Sequence, residues 1–169
     1  ATIALPACAQ RSATSRVFDV RDFGARGDNT SNDAPAFQRA IDAAATAGGG
    51  TVRFGPGTFL LRFRPAQDGI GVEAFTMRGG VTLEGVDRAR SVLRLADAQR
   101  GNGTYARIIS TNGALENAIL RNFTVDANRT GQGEFRNDGN GGAVVLGWGG
   151  RCENVTIERL NVYDANGQG

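Results

Sequence analysis

The sequence predicts an all-β fold: a solenoid of short stacked strands with one α-helix capping its N-terminal end. Three observations carry that expectation. Short β-rich runs recur after Gly50, set apart by Gly and Asn, and no second amphipathic helix interrupts them. Glu116–Val125 lines up with Glu153–Val162 at a constant offset of 37 residues. Glu-Asn opens each copy, and Ala118/Val155, Leu120/Ile157, Phe123/Leu160 and Val125/Val162 keep their apolar character. Finally, one helix-period segment, Asp33 to Thr46, stands ahead of the β-rich region, where a solenoid needs a cap over its first coil.

The elements follow in order. Residues 1–16 read as a processing segment and a polar spacer. Ala7-Cys8-Ala9 fits a small-residue cleavage pattern of an export signal, while Leu5-Pro6-Ala7-Cys8 resembles a lipoprotein box in which Cys8 would carry a lipid anchor. The domain, residues 17–169, starts with an alternating run, Val17 to Phe23, that predicts a strand, and continues with a polar loop from Gly24 to Asn32. Asn32 or Ser31 is the expected cap of the helix, Pro35 fits its first turn, and Phe37, Ala40, Ile41 and Ala44 share one face. Gly48-Gly49-Gly50 ends it. Strands are expected at 51–54, 58–63, 81–84, 91–95, 106–110, 118–120, 123–126, 143–146, 155–157 and 160–163. In a stacked solenoid, equivalent residues sit about 4.8 Å apart. Asn117 over Asn154 then predicts an amide ladder at a bend. The last coil is an open edge that calls for a further C-terminal portion or a partner subunit to cap it.

Composition excludes several functions. Among 19 basic residues there is no lysine, and the chain has no histidine, so neither a Ser-His-Asp triad nor a His-based zinc site is available within it. Two cysteines, Cys8 and Cys152, cannot build a four-thiolate site, and Cys152 is expected as a buried small residue. A net charge of +2, dispersed along the chain, does not predict nucleic-acid binding. Gly131-Gln132-Gly133 precedes no helix and so predicts no phosphate cradle. No apolar run is long enough to span a membrane. Arginine does suit a carboxylate-bearing partner, because its planar fork pairs with carboxylates bidentately.

Phe18-Asp19-Val20-Arg21-Asp22-Phe23-Gly24-Ala25-Arg26-Gly27-Asp28, then Asn32-Asp33, Ala40-Ile41-Asp42-Ala43-Ala44 and Gly48-Gly49-Gly50-Thr51-Val52-Arg53-Phe54-Gly55-Pro56-Gly57-Thr58-Phe59 together resemble the opening of the pectate-lyase-like superfamily. That superfamily includes polygalacturonase-related hydrolases, rhamnogalacturonases, polysaccharide lyases, mannuronan C5-epimerases and phage tailspikes. The resemblance implies a right-handed, single-stranded parallel β-helix with an N-terminal α-helical cap. Leu120–Arg129 and Asn154–Leu160 look most like the coils that precede the active site in the epimerase branch. There the catalytic strand, carrying a Tyr or Phe, an Asp and a His, follows a segment like Asp164–Gly169, so the resemblance places catalysis beyond Gly169.

The candidate site residues gather after the strand ending at Asp126. Asp126, Arg129, Arg136 and Trp148 are the expected polysaccharide-binding set: arginine for a uronate carboxylate, indole for a pyranose face. Lyases and epimerases both remove the proton α to that carboxylate, so neutralising it is the central task. Asp126, Asn128, Glu134 and Asp138 form a candidate Ca²⁺ set that partly mimics an EF-hand loop, although Asn137 stands where the bidentate Glu belongs. Glu158 and Asp164 are the candidate pair for hydrolysis. The expected function is an exported protein acting on an acidic, uronate-containing polysaccharide by lyase or C5-epimerase chemistry. A non-catalytic polysaccharide-binding or tailspike-like module is the alternative, and a polygalacturonase-type glycoside hydrolase the third reading.

Overall fold

The computed structural model describes residues 16–69, 71–99, 105–132, 142–147 and 149–165. The strands are β1 (Val17–Asp19), β2 (Asp28–Asn32), β3 (Gly50–Phe54), β4 (Gly57–Leu61), β5 (Arg64–Pro65), β6 (Val72–Thr76), β7 (Val81–Gly85) and β8 (Ser91–Leu95). They continue with β9 (Ala106–Ser110), β10 (Leu115–Glu116), β11 (Ile119–Arg121), β12 (Thr124–Asp126), β13 (Gly142–Val145), β14 (Cys152–Glu153), β15 (Thr156–Glu158) and β16 (Asn161–Tyr163). One α-helix, α1 (Ala34–Thr46), lies between β2 and β3.

Apart from β5 and β6, successive strands do not pair with each other. The others pair, in parallel, with their counterparts one coil away, giving three stacked faces, sheet A (β1-β3-β7-β11-β15), sheet B (β2-β4-β8-β12-β16) and sheet C (β5-β6-β9-β13), and a short fourth pair, β10-β14. Among the described residues the one antiparallel pairing is β5 with β6. This is the parallel β-helix that the repeat predicts. The register reproduces the 37-residue offset, with Leu120 on Ile157 and Val125 on Val162. The amide ladder also forms: Asn154 Nδ2 donates to Asn117 Oδ1 at 3.1 Å. Both asparagines have positive φ, as do Gly80 one coil and Gly49 two coils before Asn117. The bend before sheet A therefore demands a left-handed residue in every coil, which Asn and Gly supply at low cost.

The interior is built from columns. Val52, Leu83 and Leu120 stack on sheet A and Phe59, Leu93 and Val125 on sheet B, all fully buried. Their last members, Ile157 and Val162, are 53% and 45% exposed. At the other end α1 supplies the plug. The Phe37 ring lies 5.2 Å from Phe54, 5.4 Å from Phe59 and 5.4 Å from Phe75, one ring from each face of the first coil. Its helical neighbours Ala40, Ile41 and Ala44 are buried beside it, on the apolar stripe read from the sequence. Gly85 is needed for closeness: a Cβ there would stand 2.5 Å from the Asn122 carbonyl oxygen and 2.9 Å from Phe123 Cβ. Its absence lets Phe54 and Phe123 meet at 5.4 Å.

The structure corrects four local expectations. The Val17–Phe23 strand ends at Asp19, because the Asp19 carboxylate accepts the Arg21 N–H and starts a 3₁₀ turn over Val20–Phe23. The Gly24–Asn32 loop contains β2, whose polar Asp28-Asn29-Thr30-Ser31-Asn32 run gives no apolar signal because it forms the outer edge of sheet B. The N-cap of α1 is Asp33, not Asn32 or Ser31. Its carboxylate is turned away from the helix to accept the Arg26 and Gly27 N–H groups at 2.8 and 3.0 Å, while Asn32 Oδ1 accepts from Ala34 N and Arg62 N. Cys152, expected buried, is exposed. Among the described residues no helix is long and apolar enough to cross a membrane.

Candidate functional site

The outer faces of sheets A and B both carry charge, in different arrangements. On sheet A the register stacks Asp19, Arg53, Glu84, Arg121 and Glu158 in one column of alternating sign. Glu84 accepts from Arg53 at 3.1 Å on one side and from Arg121 at 2.9 Å on the other. Arg121 also stands 3.8 Å from Glu158, which meets Arg159 at 3.4 Å. These guanidiniums are neutralised within the protein.

On sheet B the corresponding column is Leu60, Arg94, Asp126 and Tyr163. Arg94 Nε donates to Asp126 Oδ2 at 3.2 Å and its Nη2 donates to Asn128 Oδ1 at 3.1 Å. Asp126 Oδ1 takes the Asn128 N–H at 2.9 Å. Asn128 is buried, with positive φ, and its Nδ2 donates to the Leu95 carbonyl and to Asp97. The chain thus turns a corner at the end of each sheet B strand, and Asn128 pins one coil to the next. Gln132 extends the pinning, donating to the carbonyls of Ala96 and Asn128 while its Oε1 accepts from Gln99 N at 2.8 Å. Gln99 Oε1 in turn accepts from Phe63 N at 3.0 Å. Side-chain amides therefore tie three coils together along this corner.

Three of the residues expected at the site fall here. Asp126 and Asn128 adjoin, and Arg129 follows them in a 3₁₀ turn, exposed, its N–H donating to the Asp164 carbonyl at 3.0 Å. Arg136, Trp148, Glu134, Asp138 and Cys8 lie outside the described residues. The oxygens of Asp126 and Asn128 proposed as calcium ligands accept hydrogen bonds from Arg94 and a backbone N–H, which a cation would have to displace. Among the described residues no group of three or more His, Cys, Asp or Glu could hold a metal ion. Glu158 belongs to the sheet A column, whereas Asp164 lies past β16 and accepts from Thr130 at 3.4 Å. Each of the two has its own partner.

The sequence reading missed Arg94 and Tyr163. The signal for both is register: Arg94 and Tyr163 face Asp126 from the coils on either side. The Tyr163 phenol is pushed above its usual pKa of 10, first by burial and then by the negative charge of Asp126. It stays a proton donor throughout the neutral range. The corner therefore presents a protonated phenol, held over a carboxylate fixed by a guanidinium, with a second guanidinium, Arg129, in solvent. Arg129 can donate to an anionic ligand and attract its charge, while the phenol oxygen, its O–H donating to Asp126, can accept from a ligand hydroxyl.

The family described as "Rhamnogalacturonase A/epimerase, pectate lyase-like" matches residues 17–169. Mannuronan C5-epimerase AlgE6 of Azotobacter vinelandii is 36% identical over 155 residues, which cover 90% of this chain and 17% of that protein. Alginate lyase 7 of the same organism is 33% identical over 152 residues, covering 88% of this chain and 17% of that protein. The structure of the AlgE6 A-module matches with a TM-score of 0.62 at 32% identity, over 86% of this chain and 37% of the other. The chain spans less than a fifth of the length of these two relatives.

Proposed function

From the premise that the chain belongs to the rhamnogalacturonase A/epimerase, pectate lyase-like family, we propose that it serves lyase or C5-epimerase chemistry on a uronate-containing polysaccharide, and that the corner after sheet B contacts the polymer. The relatives' names give the substrate class, a mannuronate polymer in one case and alginate in the other. The observation that carries the reading for this chain is the corner itself, where Arg129 stands exposed beside the Arg94–Asp126–Tyr163 stack.

The chemistry explains why those groups belong there. Lyase and epimerase reactions share one hard step, removal of the C5 proton next to a carboxylate, which spreads negative charge onto that carboxylate. A guanidinium lowers the barrier by sitting against the developing charge, and a fixed donor does so without reorganising. In our reading Arg129 takes the carboxylate charge, and the Tyr163 phenol oxygen, its O–H donating to Asp126, accepts from a sugar hydroxyl. Asp126, held by Arg94, orients the phenol. These roles are binding and orientation; no described residue is assigned proton abstraction. We also place the protein outside the cytoplasm, a reading supported by the small-residue pattern Ala7-Cys8-Ala9.

The test is to add polymannuronate to the protein at low salt. Affinity should be measurable, should fall as salt rises, and should drop about fivefold in Arg129→Ala, the upper range for one exposed charge pair. NMR of the polymer distinguishes the chemistry: new guluronate signals mean epimerase, unsaturated chain ends mean lyase. Binding with neither product supports the non-catalytic module instead. No binding at low salt overturns the proposal.

A further inference from the structure

A cavity of about 290 Å³ lies where the N-terminal half of α1 meets the chain leaving β4. Its lining includes Pro35, Gln38 and Arg39 from α1 and Arg62, Phe63 and Arg64 from the segment after β4. Three guanidiniums line it, and no carboxylate does.

Their bonding differs. Arg64 is fixed: its Nη2 donates to Gln38 Oε1 at 2.8 Å and pairs with buried Glu73 at 3.0 Å. Glu73 is further held by the hydroxyls of Thr76 and Ser110, and its charge answers that of Arg64, which leaves Arg39 and Arg62 as the cavity's uncompensated guanidiniums. Arg39 donates to the Phe23 carbonyl at 2.6 Å and pairs with no carboxylate among the described residues. The Arg62 guanidinium is exposed, with no hydrogen bond or ion pair to any described residue. This contrasts with sheet A, where each arginine of the column faces a glutamate in register. The walls include the half-buried Phe63 ring and Pro35, which are apolar. Guanidiniums around an apolar wall match a carboxylate carried on a ring with an apolar face, which is the chemistry of a uronate sugar. The volume stands near the lower end of the roughly 300–1,000 Å³ typical of small-ligand sites, room for a short stretch of such a chain.

The cavity also shares a corner with the Asp126–Tyr163 site. Phe63, Gln99 and Gln132 are tied to one another by side-chain amides, and Gln132 reaches the carbonyl of Asn128. Two coil steps, about 10 Å at the usual strand spacing, separate the end of β4 from the end of β12. We infer that this cap cavity is a second saccharide subsite, in which Arg39 and Arg62 receive a carboxylate of the same polymer, Arg64 forms the wall with its charge answered by Glu73, and Phe63 packs on a sugar ring. The choice of a uronate as ligand rests on the function proposed above.

The test follows NMR signals of the two places separately while the full chain is titrated with a mannuronate trisaccharide. The Phe63 ring and the Gln38 side-chain amide report the cavity, and the Tyr163 ring reports the corner. Both sets are expected to shift and saturate. In Arg62→Gln, whose parent side chain has no partner to lose, the cavity signals should saturate at about tenfold higher ligand, the cost of one charge-assisted bond, with the Tyr163 response unchanged. A silent cavity beside a responding Tyr163 overturns this inference alone. A responding cavity beside a silent Tyr163 supports the subsite and counts against the corner. Equal response to a neutral mannose trisaccharide, or an unaltered response in Arg62→Gln, overturns the carboxylate role.

Discussion

Sheet A and the corner after sheet B use the same residue type to opposite ends. On sheet A, Arg53 and Arg121 flank Glu84 in register, and the column of alternating signs closes on itself. At the corner only Arg94 is answered by a carboxylate in the same way; Arg129 stays in solvent, and Arg62, at the end of the neighbouring strand, has no described partner. Strand register decides the difference. A side chain within a parallel ladder is held at one strand spacing from its counterparts, so opposite charges there pair by construction. Arg62, one residue past β4, and Arg129, three residues past β12, lie outside the ladder, and neither meets a carboxylate among the described residues. The sheet A arginines of the ladder are thus structural, whereas Arg62 and Arg129 are turn arginines left open to solvent.

The strongest way to break both regions together is Phe37→Ala. It removes the ring that touches all three faces of the first coil and should cost about 4 kcal/mol in denaturant unfolding. A cost under about 1 kcal/mol would mean that α1 is not the plug. Breaking the corner alone needs Asn128→Ala. That change leaves the Leu95 carbonyl, Asp97 and one guanidinium N–H without their partner and puts alanine at positive φ, for about 2–3 kcal/mol. Glu84→Ala breaks sheet A instead, leaving two guanidiniums of like charge in one column. The expected loss is about 1 kcal/mol at low salt and less at high salt, since the arginines are partly exposed.

The smallest effect is in titration. The Tyr163 phenol titrates above 10, so above that pH the unfolded chain releases its proton first. The contribution of Tyr163 to stability is therefore constant below pH 10 and falls as pH rises from 10 towards the folded value. Asp126→Asn should bring the phenol part of the way back, because burial, the larger cause, remains. Absorbance titration of the two tyrosines, with Tyr163→Phe as reference, reads this directly. No change on Asp126→Asn would show that the carboxylate does not face the phenol.

Much of this architecture was readable one residue at a time. The 37-residue offset gave the register of the last two coils and the Asn117–Asn154 ladder, because in a solenoid sequence repeat and spatial neighbour coincide. The α1 stripe of Phe37, Ala40, Ile41 and Ala44 was readable because helical period and burial agree. β6 was not, since buried Glu73 breaks the apolar pattern of Val72–Thr76, and its burial is tolerable because Arg64, Thr76, Ser110 and the Gln67 N–H all bond it.

The class of the fold, a capped stack of coils whose apolar ladders face inward, follows from local period and repeat, which need no long-range information. Which charges meet follows only once the coils are folded against one another. Coil length varies with the turns, so Val92 pairs with Thr124 at a different separation from that of Thr124 with Asn161, and the sequence offset does not carry Arg94 to Asp126. Pairing of charges depends on register, register depends on how each turn closes, and turn closure depends on contacts between coils that no single stretch of sequence contains.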